Sequence, residues 1–249
     1  MKIGNNFAFK NAIKAEDMSN NTASVKGIGI KTLLLTFVMI VSTVFMMTNF
    51  HRFGTSALYI YGGVVIVNFI LQLIMCFVPS TTKVLSVPYS IFEGLMLGTV
   101  IGIVELVLPG EGFQLAGLAL ILTIAIFLAA TILYTTGVIK AGYFFRGFML
   151  SVLLGIMISS LVISVIGIFN PSIYTLLFSN KIGIVISVIM IIVAGLYVVI
   201  SLDNATQIVL SGCDKKYEWY AAFGILLNIE WLFIEIFRLL LYLKQSSDK

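Results

Sequence analysis

Seven apolar runs, each about as long as a membrane is thick, leave this chain few ways to fold. A hydrocarbon core about 30 Å thick takes roughly 20 helical residues to cross. Runs of that length lie at residues 32–49, 57–78, 89–108, 115–137, 147–169, 182–210 and 219–243. Composition agrees: 60% of the 249 residues are hydrophobic and 10% are charged, against roughly 25% charged in a soluble domain. Such a chain cannot coat its own surface with charge, so lipid must do it. The expectation is an all-α integral membrane protein with seven transmembrane helices over residues 32–243. A tail at 1–31 precedes them and a short tail at 244–249 follows.

Turn-forming or charged residues separate the runs: His51 to Gly54, Pro79-Ser80, Pro109 to Gly112, Gly142 to Arg146, Asn170-Pro171 and Gly212 to Lys216. All four prolines fall in these connections or at helix edges, which counts against a transporter built on unwound helices. The first 27 or so residues are polar and mixed in charge, without the pattern of a cleaved signal. The first apolar run is therefore expected to be a retained helix.

Loop charge sets orientation. Lys2, Lys10, Lys14, Lys26, Lys31, Lys83, Lys140, Arg146, Lys215 and Lys216 fall on one side. Arg52, Lys181, Arg238, Lys244 and Lys249 fall on the other. The richer side is expected to be cytoplasmic, which places the N-terminus inside. The net charge of +4 is small and lies in tails and loops, so it gives no support for nucleic-acid binding. The two cysteines, Cys76 and Cys213, form no CxxC and have no nearby histidine, which speaks against a metal site or a disulfide framework.

Two features inside the runs carry information. Gly94, Gly98 and Gly102 stand four residues apart and form a stripe that lets a neighbouring backbone approach closely. The second feature is charge, at about 2.5–3.5 kcal/mol per ionised group at the bilayer centre on insertion scales. Glu93, Asp203, Glu230, Glu235 and Arg238 are the candidates. Glu105 sits near a helix end, where the interface can wet it. Glu235 and Arg238 are three residues apart and can pair with each other. Glu230 and Glu235 lie about 140° apart on a helix and cannot face one point. These groups could form a proton-responsive switch or a cation path, or a static polar network between helices.

Catalysis finds little support. The single histidine, His51, lies in a loop, whereas a serine intramembrane protease needs one inside the membrane. Asp203 stands in Ser-Leu-Asp-Asn, without the glycines of an aspartyl intramembrane protease. Residues 219–243 hold no lysine for a retinal. No enzyme and no cofactor are expected.

The order of residues resembles the Bax inhibitor-1 family, in particular a bacterial branch. Tyr217-Glu218-Trp219-Tyr220-Ala221-Ala222-Phe223-Gly224 carries the similarity, with Trp231 to Leu240 after it. Thr22 to Gly27 leading to Lys31-Thr32, Phe92-Glu93-Gly94-Leu95-Met96-Leu97-Gly98 and Asn6-Phe7-Ala8-Phe9 add to it. The resemblance implies a seven-helix bundle with the last helix central, in a bacterial plasma membrane. It also implies a pH-sensitive calcium leak, with calcium as the permeant ion. The pH-sensing pair, an aspartate on helix six and a carboxylate on helix seven, maps onto Asp203 and Glu235, near which calcium would pass. Glutamate at 235 replaces the family's common aspartate, and Glu230 has no counterpart in the pattern. The alternative function is a membrane interaction protein that regulates a protease or secretion complex without transport.

Overall fold

The computed structural model describes residues 22–53, 56–173 and 180–247. The expectations for Lys2, Lys10, Lys14, Lys249 and Asn6-Phe7-Ala8-Phe9 lie outside those residues. Seven long helices follow one another among the described residues. They are α1 (Val25–Phe53), α2 (Ser56–Phe77), α3 (Thr82–Val107) and α4 (Gly112–Thr135), then α5 (Tyr143–Phe169), α6 (Asn180–Leu210) and α7 (Tyr217–Ser247). A 3-10 turn at Pro79–Thr81 leads into α3. By length and composition α1, α3, α4, α5 and α6 can each cross a membrane, and α2 holds a shorter apolar helix at Tyr61–Phe77.

Most helices outrun the apolar runs that foretold them. Helical hydrogen bonding does not stop where hydrocarbon stops, and polar end residues extend a helix into the interface. Two boundaries need correction. Helix α3 begins at Thr82 and carries Pro88 in its interior, so not every proline lies at an edge. The missing N–H of Pro88 leaves the Val84 carbonyl without its helical donor, and the ring strains the preceding turn. Helix α5 begins at Tyr143 after an extended Gly142, which puts Arg146 in its first turn rather than in a loop.

The chain forms two compact units, Met1–Ala116 with Asn204–Leu227 and Gly117–Asp203 with Asn228–Lys249. In the first, the glycine stripe on α3 faces α1. A Cβ on Gly94 would strike the Met39 carbonyl, and one on Gly98 would lie 2.5 Å from the Thr43 carbonyl. On Gly102 it would lie 2.5 Å from the Phe50 ring. Numbers rise together along both helices, so α1 and α3 run parallel, as they must if α2 crosses back between them. Met46 and Phe50 of α1 complete this seam with Leu95 and Ile103 of α3. Glu105 closes the α3–α4 turn at the interface, accepting the Gly110 N–H at 2.6 Å and the Phe113 N–H at 3.2 Å.

In the second unit α6 runs antiparallel to α7. Ser201 Oγ accepts the Asn228 amide at 3.1 Å, and a Cβ on Gly183 would meet the Tyr242 ring at 2.6 Å. The Tyr197 hydroxyl donates to the Met149 carbonyl of α5 at 2.6 Å, and its ring lies 5.6 Å from Trp231. Ala130 of α4 packs with Val198 and Val199 of α6. Helix α5 leaves Leu150, Ile158, Leu161 and Phe169 more than half exposed, a surface for lipid. By contrast, no residue of α7 from Tyr217 to Tyr242 is exposed.

The stripe gives a direct test. Gly98→Ala should lower the thermal midpoint of the protein in detergent, at an overpacking cost of about 1–3 kcal/mol. Gly62→Ala on α2 has open space around its new Cβ and should leave the midpoint unchanged or raise it. Equal midpoints for the two variants would contradict close packing at Gly98.

Candidate functional site

Asp203 sits two turns before the end of α6, and its partners come from two other helices. The Tyr134 hydroxyl at the end of α4 donates to Oδ1 at 3.2 Å. The Arg146 guanidinium, in the first turn of α5, forms an ion pair with Oδ2. Arg146 Nε also donates to the Ala141 carbonyl at 3.1 Å, so one arginine fixes both the α4–α5 connection and the carboxylate. Burial lies behind the choice of arginine. A half-buried carboxylate needs a cation that also satisfies neighbouring acceptors, and a guanidinium has five donors.

Glu235 is 3% exposed on α7. Oε1 accepts the Trp231 indole N–H at 3.3 Å, and the Arg238 guanidinium approaches Oε2 to 3.3 Å. That approach lacks hydrogen-bond geometry, and Oε2 has no hydrogen-bond partner. The interaction with Arg238 is thus charge attraction alone. Asn228, Trp231 and Glu235 share one face of α7, three to four residues apart.

Asp203 and Glu235 do not form a pair, which corrects the expectation drawn from the resemblance. The antiparallel register explains it. Asp203 lies two residues past Ser201, and Glu235 lies seven past its partner Asn228. The two carboxylates are therefore about nine residues apart along the helices, roughly 14 Å at 1.5 Å per residue. Each has an arginine of its own instead. Glu230 is partly buried on α7, about 200° around the helix from Asn228 and so off the Ser201 face. Glu93 lies in the first unit, 3% exposed, and accepts from the Asn68 amide of α2.

A further charged cluster went unforeseen. Glu218, in the first turn of α7 ahead of the apolar run, is fully buried. Its Oε1 accepts the Ser24 N–H at 2.8 Å and the Ser24 hydroxyl at 3.1 Å, and its Oε2 pairs with Lys31. Ser24 is the N-cap of α1, since its Oγ accepts the Gly27 N–H at 3.0 Å. In a capping box the third helical residue would supply an acidic side chain to the cap's N–H. That residue is Gly27, and a Cβ there would collide with the Glu218 carboxylate. Glycine at 27 thus makes room for an acid from another helix to do the capping. Around it, the Ala23 N–H donates to the Cys213 carbonyl at 2.8 Å, Thr22 bridges to Asp214, and Lys31 Nζ lies 5.4 Å from the Trp219 ring. Gly212, at φ 65°, ends α6 with the paired 6→1 and 5→2 bonds of a Schellman turn and leads the chain to Cys213.

The sequence marks Arg146 only as a loop charge, gives Lys31 and Glu218 as loop charge and family motif without pairing them, and singles out none of Tyr134, Asn68 and Asn228. A polar residue in an apolar run was the available signal for Asn68 and Asn228. Nothing in the spacing of Arg146 and Asp203 marks them as partners. Among the described residues no three His, Cys, Asp or Glu side chains cluster as metal ligands.

The Glu218 clasp has a definite pH signature. Burial alone would raise the carboxyl, and the bonds from Lys31 and Ser24 more than offset it, so it lies below its ordinary value. A lowered folded value means the clasp stabilises fully above the ordinary carboxylate range and loses that contribution as pH falls through the folded value. Glu218→Gln should lower the thermal midpoint at neutral pH, as breaking a buried pair costs about 3–5 kcal/mol. The gap to the wild type should close only below about pH 4. A gap that closes between pH 6 and pH 7 would contradict the assignment.

No curated protein and no solved structure matches this chain. The Bax inhibitor 1 like family matches residues 5–245, the same stretch that carries the seven helices, the glycine seam of α1 and α3, and the Glu218 clasp. On that match, nearly the whole of its length, the chain belongs to the Bax inhibitor 1 like family.

Proposed function

We propose that the protein is a passive, calcium-permeable leak of the bacterial plasma membrane, with its N-terminus cytoplasmic, held closed by a latch at Asp203. The observation that supports this reading is that one carboxylate of α6 links it to two other helices, through Tyr134 of α4 and Arg146 of α5. The side chains of Asp203 and Arg146 are 15% and 30% exposed, so neither is sealed inside the protein. Calcium is a hard cation that takes carboxylate oxygens, and it competes with the guanidinium for the same atoms. Protonation removes the charge that Arg146 pairs with, so acid acts on the latch as well. The latch replaces a proton shared between Asp203 and Glu235 as the pH-responsive element.

One observation favours a second reading. Asp203 and Glu235 each have an arginine in place, as in a static network that holds helices together. A membrane interaction protein that regulates another complex would need no more. Calcium flux into liposomes that contain only this protein separates the two. Arg146→Gln and Asp203→Asn should each raise the flux several-fold, and the double substitution should add little to either single one, as expected for partners in one contact. No flux from the wild type or from any variant would favour the interaction protein.

A further inference from the structure

The first unit carries its positive charge at one end. Glu218, in the first turn of α7, accepts the N–H of Ser24, the N-cap of α1, so α1 and α7 begin together. Helix α3 begins there too. Tyr89, seven residues past Thr82, packs edge-on against Phe223, six residues past Tyr217, with ring centroids 5.1 Å apart. Lys26, Lys31, Lys83, Lys215 and Lys216 all belong to this end, against two carboxylates, Asp214 and Glu218. At the other end of the unit the balance is reversed among the described residues, where Arg52 is outnumbered by Glu105 and Glu111.

Both carboxylates of the basic end are engaged. Glu218 pairs with Lys31. Asp214 Oδ2 lies 3.9 Å from Lys216 Nζ, and its Oδ1 accepts the Lys216 backbone N–H at 2.9 Å. Lys26, Lys83 and Lys215 are exposed and have no ion-pair partner among the described residues. What lies beside them is apolar. Lys26 heads a face of α1 that continues with Ile30, Leu33 and Phe37 at helical spacing, each more than half exposed. Val84 follows Lys83 and is 70% exposed, and Leu210, five residues before Lys215, is 76% exposed.

A ligand that fits this arrangement carries negative charge and hydrocarbon in one molecule. A lysine stem lies along apolar surface while its ammonium reaches the polar layer. A soluble polyanion would answer the ammonium groups and leave the apolar faces uncovered, and a neutral lipid would do the reverse. We propose that this end of the first unit is a docking surface for anionic phospholipid, with headgroup phosphates drawn to Lys26, Lys83 and Lys215 and acyl chains along the exposed faces of α1 and α3. Asp214 and Glu218 hold Lys216 and Lys31 for the fold, and the three remaining lysines face outward to the headgroups. The docking surface is independent of calcium conduction and of which leaflet this end faces.

Native mass spectrometry of the full chain, released from micelles that contain both phosphatidylglycerol and phosphatidylcholine, counts the lipids that stay bound. The wild type should retain phosphatidylglycerol in preference, and the preference should shrink as salt rises, because exposed charges are screened. A lysine near an anionic surface is worth about fivefold in association. Lys26→Gln, Lys83→Gln and Lys215→Gln together should therefore cut the preference by about tenfold or more, whereas arginine at all three positions should keep it. Arg52, Lys140 and Lys181 are also exposed, and their replacement by glutamine removes the same charge elsewhere and should leave the preference unchanged. Equal losses in the two glutamine triples would reduce the effect to net charge and overturn the docking surface, as would a wild type without preference. If the first triple fails to fold, Lys83→Gln against Arg52→Gln makes the same comparison, with about a fivefold loss expected for the former alone. Inorganic phosphate should not displace the bound phosphatidylglycerol. Displacement would make this a phosphate site and sink the lipid reading.

Discussion

Lipid offers no partner for a backbone N–H or C=O, and every other feature of this protein answers to that. The chain meets the condition with seven helices that satisfy their own backbones. Once that is done, apolar burial no longer discriminates between helix–helix contacts, because lipid tails are as apolar as leucine. Close packing and polar contacts have to decide which helices meet. The parallel seam of α1 on α3 is the clearest case. Glycines at 94, 98 and 102 bring backbone atoms to distances that a single methyl group would forbid.

Polar contacts do the rest, and they are not spread evenly. Where a charge enters a helix, the fold supplies a partner within reach: Arg146 for Asp203, Arg238 for Glu235, Lys31 for Glu218 and the Asn68 amide for Glu93. Breaking any of these would leave a charge or a strong dipole in low dielectric, which is why such residues act as fixed points of the structure. Glu218 shows how local and tertiary needs combine. The N-terminus of α1 has backbone donors to satisfy, and the acid that satisfies one of them comes from the start of α7. The same carboxylate neutralises Lys31, so a helix cap and an ion pair become one contact between chain segments nearly 200 residues apart.

Much of this was legible in the amino-acid order. The apolar runs gave the number of helices and their approximate places, because the thickness of hydrocarbon fixes the length of an apolar helix. The four-residue glycine spacing gave the packing face of α3, because helical periodicity puts those positions on one line. Resemblance in Tyr217–Gly224 pointed to the family that the match over residues 5–245 shows. The helix ends were misjudged where polar residues prolong a helix into the interface, as at Thr82 and Tyr143. Pro88 was misplaced for the same reason, since an apolar scan begins α3 only after it.

Partnership between charges is a different kind of fact. The sequence by itself determined that Asp203, Glu235, Glu93 and Arg238 lie within apolar helices, because position in a run of fixed length is a one-dimensional property. Which charge meets which depends on the rotation, direction and register of helices joined through long stretches of chain. A register offset of nine residues separates Asp203 from Glu235. The first turn of α5 brings Arg146 to Asp203 in place of a second carboxylate. Only the tertiary structure decided those pairings, because a shift of a few residues along a helix costs little in lipid until a charge is left without its partner.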